Sequence, residues 1–454
     1  MVLFFKTKSL NFVLTINRAT MRYVTTDTKH TATLAEAAVN CYAGDGALYI
    51  PERVPALPKA YFNNIEQMTL PEIAYVVMSS LLGTDVNPRV LKDIVDTTFN
   101  FPLPLVDSPA GGNISFLELF HGPTLAFKDF GTRFMAEFLN KVIAPGRKMS
   151  ILTATTGNTG AAIAHAFRNI SNADIYILYP RGVPDRFQHA MFSAPGNNSI
   201  PVEVSGDIGK CKEMVRRAVE ELNGGDRLFI SANSVNILRI LPQVVFYFQT
   251  YARLRSLDRA TADGFTVAVP CGNLSNLTSA IIARQMGLPM GRIIAACDSN
   301  DDFVRMCRGT LSPADFNTSA RPTLARAMDT GFPSNLNRVL WLCGNDLSRI
   351  SDYVTAESVS DREIAATIIN EQQGGYTVDP HTAVALAAAR RLAPEGKCVV
   401  MATAHPAKSL DRMTAITGRS VELPLQLTRF MSKPRPAVRL APSFAALGKL
   451  LAHQ

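Results

Sequence analysis

The 454-residue chain has few of the short motifs that assign a protein to a metal, disulfide or nucleotide-binding class. Its seven cysteines are scattered, odd in number and never arranged as Cys-x-x-Cys, which argues against a disulfide framework and against a zinc site. Its seven histidines form no His-x-x-x-His pair, so we expect no bound metal. Neither a Walker A loop nor a GxGxxG fingerprint is present. Free thiols of this kind are typical of a reducing compartment, and we expect the protein in the cytoplasm.

The charge pattern and the apolar content exclude further classes. The net charge of +8 is spread along the chain, without a Lys/Arg block of the nucleic-acid-binding type. The apolar runs are too short and too interrupted to span a membrane. A hydrophobic content of 47% suffices for more than one buried core. A mildly basic enzyme that handles anionic substrates and cofactors fits this charge equally well. We expect no nucleic-acid or membrane partner, and either a monomer or a homodimer.

Residues 1–20 differ from the rest, because they contain three basic residues and no acidic one. Such a composition is typical of a mitochondrial leader. Alternatively, Met21 is the functional start and the preceding segment is a mis-assigned start. We favour the second interpretation, because the family similarity described below begins near Tyr23.

The local pattern changes near residue 115. Residues 33–100 are mainly helical in pattern, as in the stretch that follows Thr69, with Pro71 in its first turn. Later, short apolar and β-branched runs alternate with helical patterns, which is typical of parallel strands buried on both faces. The strand-like runs are 150–155, 174–179, 199–204, 228–231, 265–269, 292–297 and 397–403. This predicts an α/β protein with open, doubly wound sheets, which bind ligands beyond the carboxyl ends of their strands.

Lys128 lies in an unusual neighbourhood. It follows Phe127 and precedes Phe130 in the run 117–130 (LELFHGPTLAFKDF), behind an apolar strand. A lysine in an apolar pocket loses the solvation of its charged form, so its pKa falls and its neutral amine becomes a nucleophile. The alternative is a snorkelling lysine on an amphipathic helix.

Two loops follow predicted strands and open helices. The first is 155–160 (TTGNTG), whose hydroxyls, amide and glycines suit either an anion or a simple N-cap box. The second is 270–278 (PCGNLSNLT), whose backbone amides at a helix start suit a phosphate or another dianion.

Three further segments also contribute candidates. Thr403 follows the last strand, where a hydroxyl either bonds a ring nitrogen or has no special role. Ser234 and Arg239 lie five residues apart and could bind a phosphate or carboxylate. The alternative is that Arg239 is a surface residue of a helix. The segment 379–384 is interpreted mainly as a turn and helix start. A nucleophilic lysine, a dianion cradle and a ring-nitrogen hydroxyl together match the needs of pyridoxal 5′-phosphate.

At this point the motifs resemble a known family. The chain is similar to the threonine synthases of the longer form found in bacteria and fungi, within the tryptophan-synthase-β-like, fold type II pyridoxal-phosphate enzymes. The resemblance runs from about Tyr23 into the C-terminal region, and the lysine box His-Gly-Pro-Thr-x-x-Phe-Lys-Asp is its most specific part. The landmarks are 43–51, 118–130, 155–160, 233–239, 271–277, 327–335, 379–384 and 402–408.

The resemblance implies a domain plan. It consists of two doubly wound open-sheet domains and a small, mainly helical N-terminal subdomain. We assign residues 21–100 to the N-terminal subdomain and residues 148–249 to the smaller α/β domain. Residues 101–147 and 250–454 would form the larger, cofactor-binding domain.

The resemblance also implies a reaction and a role for each site residue. A pyridoxal-phosphate-dependent carbon–oxygen lyase would convert O-phospho-L-homoserine and water to L-threonine and phosphate, by γ-elimination and β-addition. Lys128 would bind the cofactor aldehyde covalently and then transfer protons. The cofactor phosphate would be cradled by Gly272, Asn273, Leu274, Ser275 and Asn276. Asn158 would bond the ring oxygen and Thr403 the ring nitrogen. The substrate carboxylate would be held by Thr155, Thr156 and Thr159, and its phosphate by Ser234 and Arg239, with Asn276 as a further candidate.

Several positions depart from the usual family pattern. Thr156 replaces a serine, Ser275 replaces a glycine, Ala325-Arg326 replace Ser-Pro, and Gly209-Lys210 replace an acidic pair. At position 275 a serine has to avoid a positive φ or accept strain of about 1 kcal/mol or more. These departures leave an alternative open, a threonine-synthase-like phospholyase acting on a related phosphorylated amino acid. A third possibility is a catalytically inactive binding protein on the same fold.

Overall fold

The computed structural model describes residues 2–6, 11–15, 19–43, 46–184, 186–193, 196, 198–392, 395–428 and 436–452. Within these ranges, no helix combines the length and the apolar character needed to cross a bilayer. The strands are β1 (Val2–Lys6), β2 (Asn11–Thr15), β3 (Tyr23–Thr25), β4 (Thr31–Ala32), β5 (Tyr49–Pro51), β6 (Leu105–Asp107), β7 (Ile114–Glu118), β8 (Met149–Ala154), β9 (Ala173–Pro180), β10 (Ser199–Val204), β11 (Leu228–Ser231), β12 (Phe265–Pro270), β13 (Met290–Cys297), β14 (Val354–Ser358), β15 (Cys398–Ala402) and β16 (Val438–Leu440).

Helices connect and flank these strands. They are α1 (Leu34–Asn40), α2 (Lys59–Phe62), α3 (Leu70–Leu82), α4 (Pro88–Thr98), α5 (Lys128–Phe138), α6 (Asn158–Phe167), α7 (Arg186–Ser193), α8 (Ile208–Leu222), α9 (Val244–Leu257), α10 (Ser275–Gln285), α11 (Asp302–Cys307), α12 (Leu336–Leu342), α13 (Asp361–Gln373), α14 (Pro380–Leu392), α15 (Leu410–Thr417), α16 (Leu425–Thr428) and α17 (Phe444–Ala452). Each of the strand-like runs predicted from the sequence is a strand, with ends that shift by at most two residues.

The first large sheet has five strands in the order β11-β8-β9-β10-β16, all parallel. Every residue of β8 is buried, as the continuous apolar run predicts for a central parallel strand. Helix α8 packs on this sheet through buried residues such as Met214 and Val215. The alternation of strand and helix is confirmed here as a doubly wound arrangement.

The second large sheet has six strands in the order β14-β13-β12-β15-β7-β6. Its strands are parallel except β6, which runs antiparallel to β7 at one edge. The strands β12 and β15 lie side by side, so the loops that follow them open at the same edge. Helix α5 begins shortly after β7, the strand that pairs with the other side of β15.

The N-terminal part contains α1–α4, as predicted, together with a three-stranded antiparallel sheet in the order β4-β3-β5. Helix α3 begins where the sequence predicts it, because the Glu72 carboxylate accepts a hydrogen bond from the Thr69 amide at 2.8 Å. Its buried face packs into the main core.

The C-terminal segment returns to the smaller sheet. Strand β16 pairs with β10, and α17 contributes Leu447 and Leu451 to the same apolar cluster as α8. The sequence analysis placed these residues with the larger domain. The domain boundaries as a whole stay a prediction.

Candidate active site

The predicted site residues line two adjoining hollows where the carboxyl ends of both sheets meet. The glycine-loop hollow is about 560 Å³ and is lined by Lys128, Asn158, the loop 272–276, Met328, His381 and Thr403, among others. The threonine-loop hollow is about 810 Å³ and is lined by Thr155, Thr156, Thr159, Lys212, Ser234, Arg239 and Asp329, among others. Lys128, Asn158, Asn273 and Ser275 line both hollows, which together form one active-site cleft. The fold thus brings every predicted site residue to one place.

Lys128 is the first residue of α5, and its Nζ atom lies over the Phe127 ring, 4.6 Å from the ring centroid. Burial, together with the positive charges of Arg239 and Lys408, lowers the pKa of Lys128 to about 7. At neutral pH a large share of the amine is therefore uncharged and nucleophilic. Its setting is that of a reactive amine and differs from that of a snorkelling lysine.

The chain around Lys128 is fixed by its neighbours. The Phe127 amide donates to the Thr403 carbonyl at 2.9 Å, which ties the start of α5 to the end of β15. The buried Asp129 carboxylate accepts from the Thr124 amide at 2.8 Å and from the Thr124 hydroxyl at 2.6 Å. Lys408 Nζ donates to the Thr124 carbonyl at 2.6 Å. These contacts fix the backbone at Lys128, because the turn before α5 is bonded from two sides.

The glycine loop connects β12 to α10. A Cβ atom at Gly272 would lie 2.6 Å from both the Cα and the carbonyl oxygen of Met328, so the close approach of these two chains requires glycine. Leu274 adopts the left-handed conformation with φ +58°, and Ser275 is already helical. Ser275 therefore avoids the strain that a positive φ would impose on it. The preceding leucine has the positive φ instead, at a cost of about 1–2 kcal/mol.

The start of α10 offers donors to an anion. The first helical hydrogen bond of this segment runs from the Thr278 amide to the Leu274 carbonyl, so the amides of 275–277 have no acceptor within the helix. The helix dipole also favours negative charge there. The loop is therefore built to hold a phosphate.

The asparagine side chains of this loop have mainly structural partners. Asn273 Nδ2 donates to Ser234 Oγ at 2.7 Å, and its Oδ1 accepts from the Ser334 amide at 2.6 Å. Asn276 donates to Gln243 Oε1 at 3.0 Å and accepts from the Tyr247 hydroxyl at 2.7 Å. Since these amide groups are engaged, a ligand at the loop would meet backbone amides first.

Asn158 and Thr403 lie at the ends of their strand–loop units. The buried Oδ1 atom of Asn158 has no hydrogen-bond partner among the described residues, and a buried amide of this kind needs a polar ligand atom. Thr403 is buried and directly follows β15. A neutral lysine amine, free helix amides and an unsatisfied amide in one hollow are the groups that pyridoxal phosphate requires, so the residues fit this cofactor.

The threonine loop serves first as a helix cap. The Thr155 hydroxyl accepts from the Gly157 amide at 2.9 Å and from the Gly160 amide at 3.1 Å. The hydroxyl thus satisfies two amides at the start of α6, although the N-cap residue itself is Gly157. Thr156 and Thr159 are half-buried and face the cleft, so they remain available to a ligand.

Arg239 supplies buried positive charge to the cleft. Its guanidinium donates to the Ala232 carbonyl, while its buried Nε atom has no partner among the described residues. Burial lowers the pKa of Arg239 to about 10, opposed by the nearby negative charge of Asp129, so the group stays charged at neutral pH. The ion pairs found among the described residues do not include Arg239. It is therefore a buried cation and not the surface residue of the alternative interpretation.

Some lining residues were not predicted. Lys212 and Asp329 are half-buried at the threonine-loop hollow. Asp329 accepts from the Thr323 hydroxyl at 2.6 Å, and burial raises its pKa to about 6. By contrast, Arg326, one of the departures from the family pattern, is exposed and lies outside the lining of both hollows, so its charge does not reach the cleft.

His381 also lines the glycine-loop hollow. Its Nε2 accepts from the Ala327 amide at 3.1 Å, and its Nδ1 contacts the Asp379 carboxylate. Because Nε2 accepts, the ring proton lies on Nδ1 and is directed at Asp379. This pair positions the segment that packs on Gly272. It lies at the start of α14, which confirms the turn and helix start predicted for residues 379–384.

The comparisons with known proteins assign this cleft. A family model described as pyridoxal-phosphate dependent enzyme matches residues 96–404, which is more than half of the chain. The chain is a pyridoxal-phosphate-dependent enzyme of fold type II, and its cofactor is pyridoxal phosphate. Models for the N terminus and for the C-terminal part of threonine synthase match residues 22–99 and 382–450. The chain belongs to the threonine synthase family and is a lyase.

Individual relatives agree with this assignment. The chain is 35% identical to threonine synthase of Escherichia coli over 428 residues, covering 94% of this chain and 97% of that protein. The crystal structure of threonine synthase from Escherichia coli superimposes with a TM-score of 0.88 at 33% identity, covering 96% of this chain and 100% of that one. A pyridoxal-phosphate-bound threonine synthase from Brucella melitensis gives a TM-score of 0.85 at 28% identity, covering 95% and 99%.

Proposed function

We propose that this protein converts O-phospho-L-homoserine and water to L-threonine and inorganic phosphate. The observation that supports this substrate is Arg239, a buried guanidinium that has no carboxylate partner in the described part of the chain and lines the same hollow as Lys128. A buried charge of this kind is costly unless a ligand of opposite charge pairs with it. An amino acid with a terminal phosphate supplies that charge at a distance from its amino group.

The cofactor would be held by residues of the glycine-loop hollow. Lys128 would bond its aldehyde, the amides of 272–276 would bind its phosphate, and Asn158 and Thr403 would bond the ring. When bound, pyridoxal phosphate accepts electrons from the substrate and so eases the loss of protons next to the amino group.

The substrate carboxylate would be bound by the threonine loop. Thr156 and Thr159 present half-buried side chains, and the start of α6 adds the helix dipole. Thr155 contributes mainly by fixing this loop, because its hydroxyl already accepts two backbone amides.

Lys128 would move the protons of the reaction. Its Nζ atom, neutral at about pH 7, would remove a proton from Cα and then from Cβ of the substrate. The bond from Cγ to the phosphate oxygen breaks, and Arg239 would stabilise the departing dianion. A proton then returns to Cγ, the hydroxyl of water adds to Cβ and a proton returns to Cα, while the remaining proton goes to the departing phosphate. The atoms of substrate and water are thereby distributed between threonine and phosphate.

The direct test is the product balance. Purified protein with pyridoxal phosphate is incubated with O-phospho-L-homoserine, and threonine and phosphate are quantified over time. We expect the two products in equal amounts. Phosphate accompanied by 2-oxobutyrate in place of threonine would indicate the phospholyase alternative, and no phosphate release at all would reject both activities.

Arg239→Met tests the phosphate anchor. Losing a charge-assisted contact to a buried dianion should weaken substrate binding by about 2–4 kcal/mol, measured as a higher KM or a lower kcat/KM. Arg253→Met, an exposed arginine of α9, is the control and should leave KM unchanged. An unaltered KM in the Arg239 variant, with its melting temperature retained, would show that Arg239 does not bind the phosphate.

Location and assembly belong to the same proposal. All seven cysteines are free, and none is exposed, which supports a reducing compartment such as the cytoplasm. We propose a monomer or a homodimer. Light scattering after size-exclusion chromatography distinguishes the two, and a larger assembly would contradict both.

A further inference from the structure

Helix α8 contains four basic side chains, three of which form ion pairs along the helix. Lys210 lies 2.9 Å from Glu213, Arg216 lies 2.8 Å from Glu220, and Arg217 lies 2.6 Å from Glu221. These pairs follow the i,i+3 and i,i+4 spacing of a solvated helix face.

Lys212 is the exception on this helix. The residues three and four positions away are Ile208, Gly209, Val215 and Arg216, so no carboxylate stands at helical spacing. The ion pairs found in the described part of the chain do not include Lys212. Its side chain is half-buried, and it lines the threonine-loop hollow together with Ile208. A lysine turned into a cleft without a carboxylate partner is unusual, because the ammonium group is strongly hydrated.

The charges of this hollow favour an anionic ligand. Arg239 and Lys212 are cations with no carboxylate partner among the residues that the structure describes, and burial lowers the pKa of Lys212 as it does that of Arg239. Asp329 is the carboxylate among the described lining residues, and it already accepts hydrogen bonds from Thr323. Since Arg239 alone balances half of a dianion, a second cation would complete the neutralisation.

We propose that Lys212 binds the phosphate group of the substrate together with Arg239 and so helps to select a phosphorylated amino acid over its free hydroxyl form. This inference rests on the proposed function, because it assigns the phosphate of O-phospho-L-homoserine to the threonine-loop hollow. Lys212 acts from the smaller sheet through α8, whereas Lys128 and the glycine loop belong to the larger sheet. Arg239 follows β11 of the smaller sheet, so the phosphate would lie on that sheet and the substrate would extend from it to Lys128.

The test compares Lys212→Met with Lys210→Met, the ion-paired lysine one half-turn earlier on the same helix. Binding of inorganic phosphate to each holoenzyme is measured by calorimetry, with pyridoxal phosphate already occupying its own site. L-2-aminobutyrate, which has the amino acid part without the phosphate, serves as a second probe. Steady-state kcat and KM for O-phospho-L-homoserine are measured in parallel.

Lys212→Met should weaken inorganic phosphate binding about tenfold or more and raise KM similarly, because one charge-assisted contact is lost. Binding of L-2-aminobutyrate should remain within about twofold, Lys210→Met should match the wild type, and Lys212→Arg should recover most of the phosphate affinity. Unchanged phosphate binding in Lys212→Met, or an equal loss in Lys210→Met, would overturn the proposal. So would a loss confined to L-2-aminobutyrate, which would place Lys212 at the carboxylate.

The outcomes separate this inference from the proposed function. If the wild-type enzyme forms threonine and Lys212→Met binds phosphate as the wild type does, only the role of Lys212 is rejected. A wild type that forms no threonine, but binds phosphate through Lys212, rejects the proposed reaction and retains the anion site. If Lys212→Met melts at a lower temperature, Lys212→Gln is measured in its place.

Discussion

Gly272→Ala is the substitution whose effect follows most directly from the geometry. The added methyl group would lie 2.6 Å from the Cα atom and 2.6 Å from the carbonyl oxygen of Met328. Carbon atoms in contact lie about 3.5–4.0 Å apart, so the two chains have to separate by roughly 1 Å. Both partners are backbone atoms, which cannot rotate away as a flexible side chain can. Overpacking of this size costs about 1–3 kcal/mol.

The separation should disturb cofactor binding, because the amides of 275–277 follow Gly272 in the same loop. A cost of about 1–3 kcal/mol corresponds to a dissociation constant for pyridoxal phosphate that is about 5- to 150-fold higher. The assay is a titration of apoenzyme with pyridoxal phosphate followed by absorbance, together with urea unfolding of the apoenzyme. The unfolding measurement reports any part of the cost that appears as lost stability.

Gly448→Ala provides a matched control. It makes the same chemical change in α17, where nothing lies within 4 Å of the added Cβ atom. In a helix interior this change should stabilise the protein by about 0.5–1 kcal/mol. If Gly272→Ala retains wild-type cofactor affinity within about twofold and also retains its unfolding free energy, the contact with Met328 does not constrain the loop.

The remaining predictions concern the lysine, the cap and the histidine. The rate at which pyridoxal phosphate attaches to the apoenzyme should rise as pH increases through about 7, because the neutral form of Lys128 predominates above its lowered pKa. A rate independent of pH from 6 to 9 would contradict this. Thr155→Ala should lower the unfolding free energy by about 0.5–2 kcal/mol, since two backbone amides lose their acceptor, whereas Thr155→Ser should behave as wild type in urea unfolding. His381→Phe leaves the Ala327 amide without its acceptor, so it should lower the free energy of unfolding by about 1–3 kcal/mol and weaken cofactor binding. If neither quantity changes, another group holds this segment.

The central strands were predictable because their position in the sheet imposes a local pattern. A parallel strand covered on both faces is mostly apolar and buried, as β8 is along its whole length and β13 is from Ile293 onward. Edge strands have no such constraint. Strand β16 consists of Val438, Arg439 and Leu440, two of which are exposed, and its pairing with β10 depends on the chain returning across the molecule. The sequence analysis accordingly missed it.

The site loops were predictable for a related reason. In an open parallel sheet the carboxyl ends of neighbouring strands share one edge, so the polar loops after β12 and β15 lie together. The loop after β8 belongs to the other sheet and reaches the same cleft only because the two sheets pack with their carboxyl ends together. Lys212 was overlooked, although the sequence indicates it. Lys210 has an acidic neighbour at helical spacing, whereas Lys212 has none.

The sequence by itself determined the chemical groups of this protein: an amine in an apolar run, amides at a helix start and hydroxyls after buried strands. These depend on local spacing, which the chain encodes directly. Only the tertiary structure decided their state. Lys128 has a pKa near 7 because burial and the cations Arg239 and Lys408 come from distant parts of the chain. Gly272 is required because Met328, 56 residues later, packs on its Cα atom. Desolvation and steric contact arise between segments far apart in sequence, so they become definite only when the two sheets are packed together.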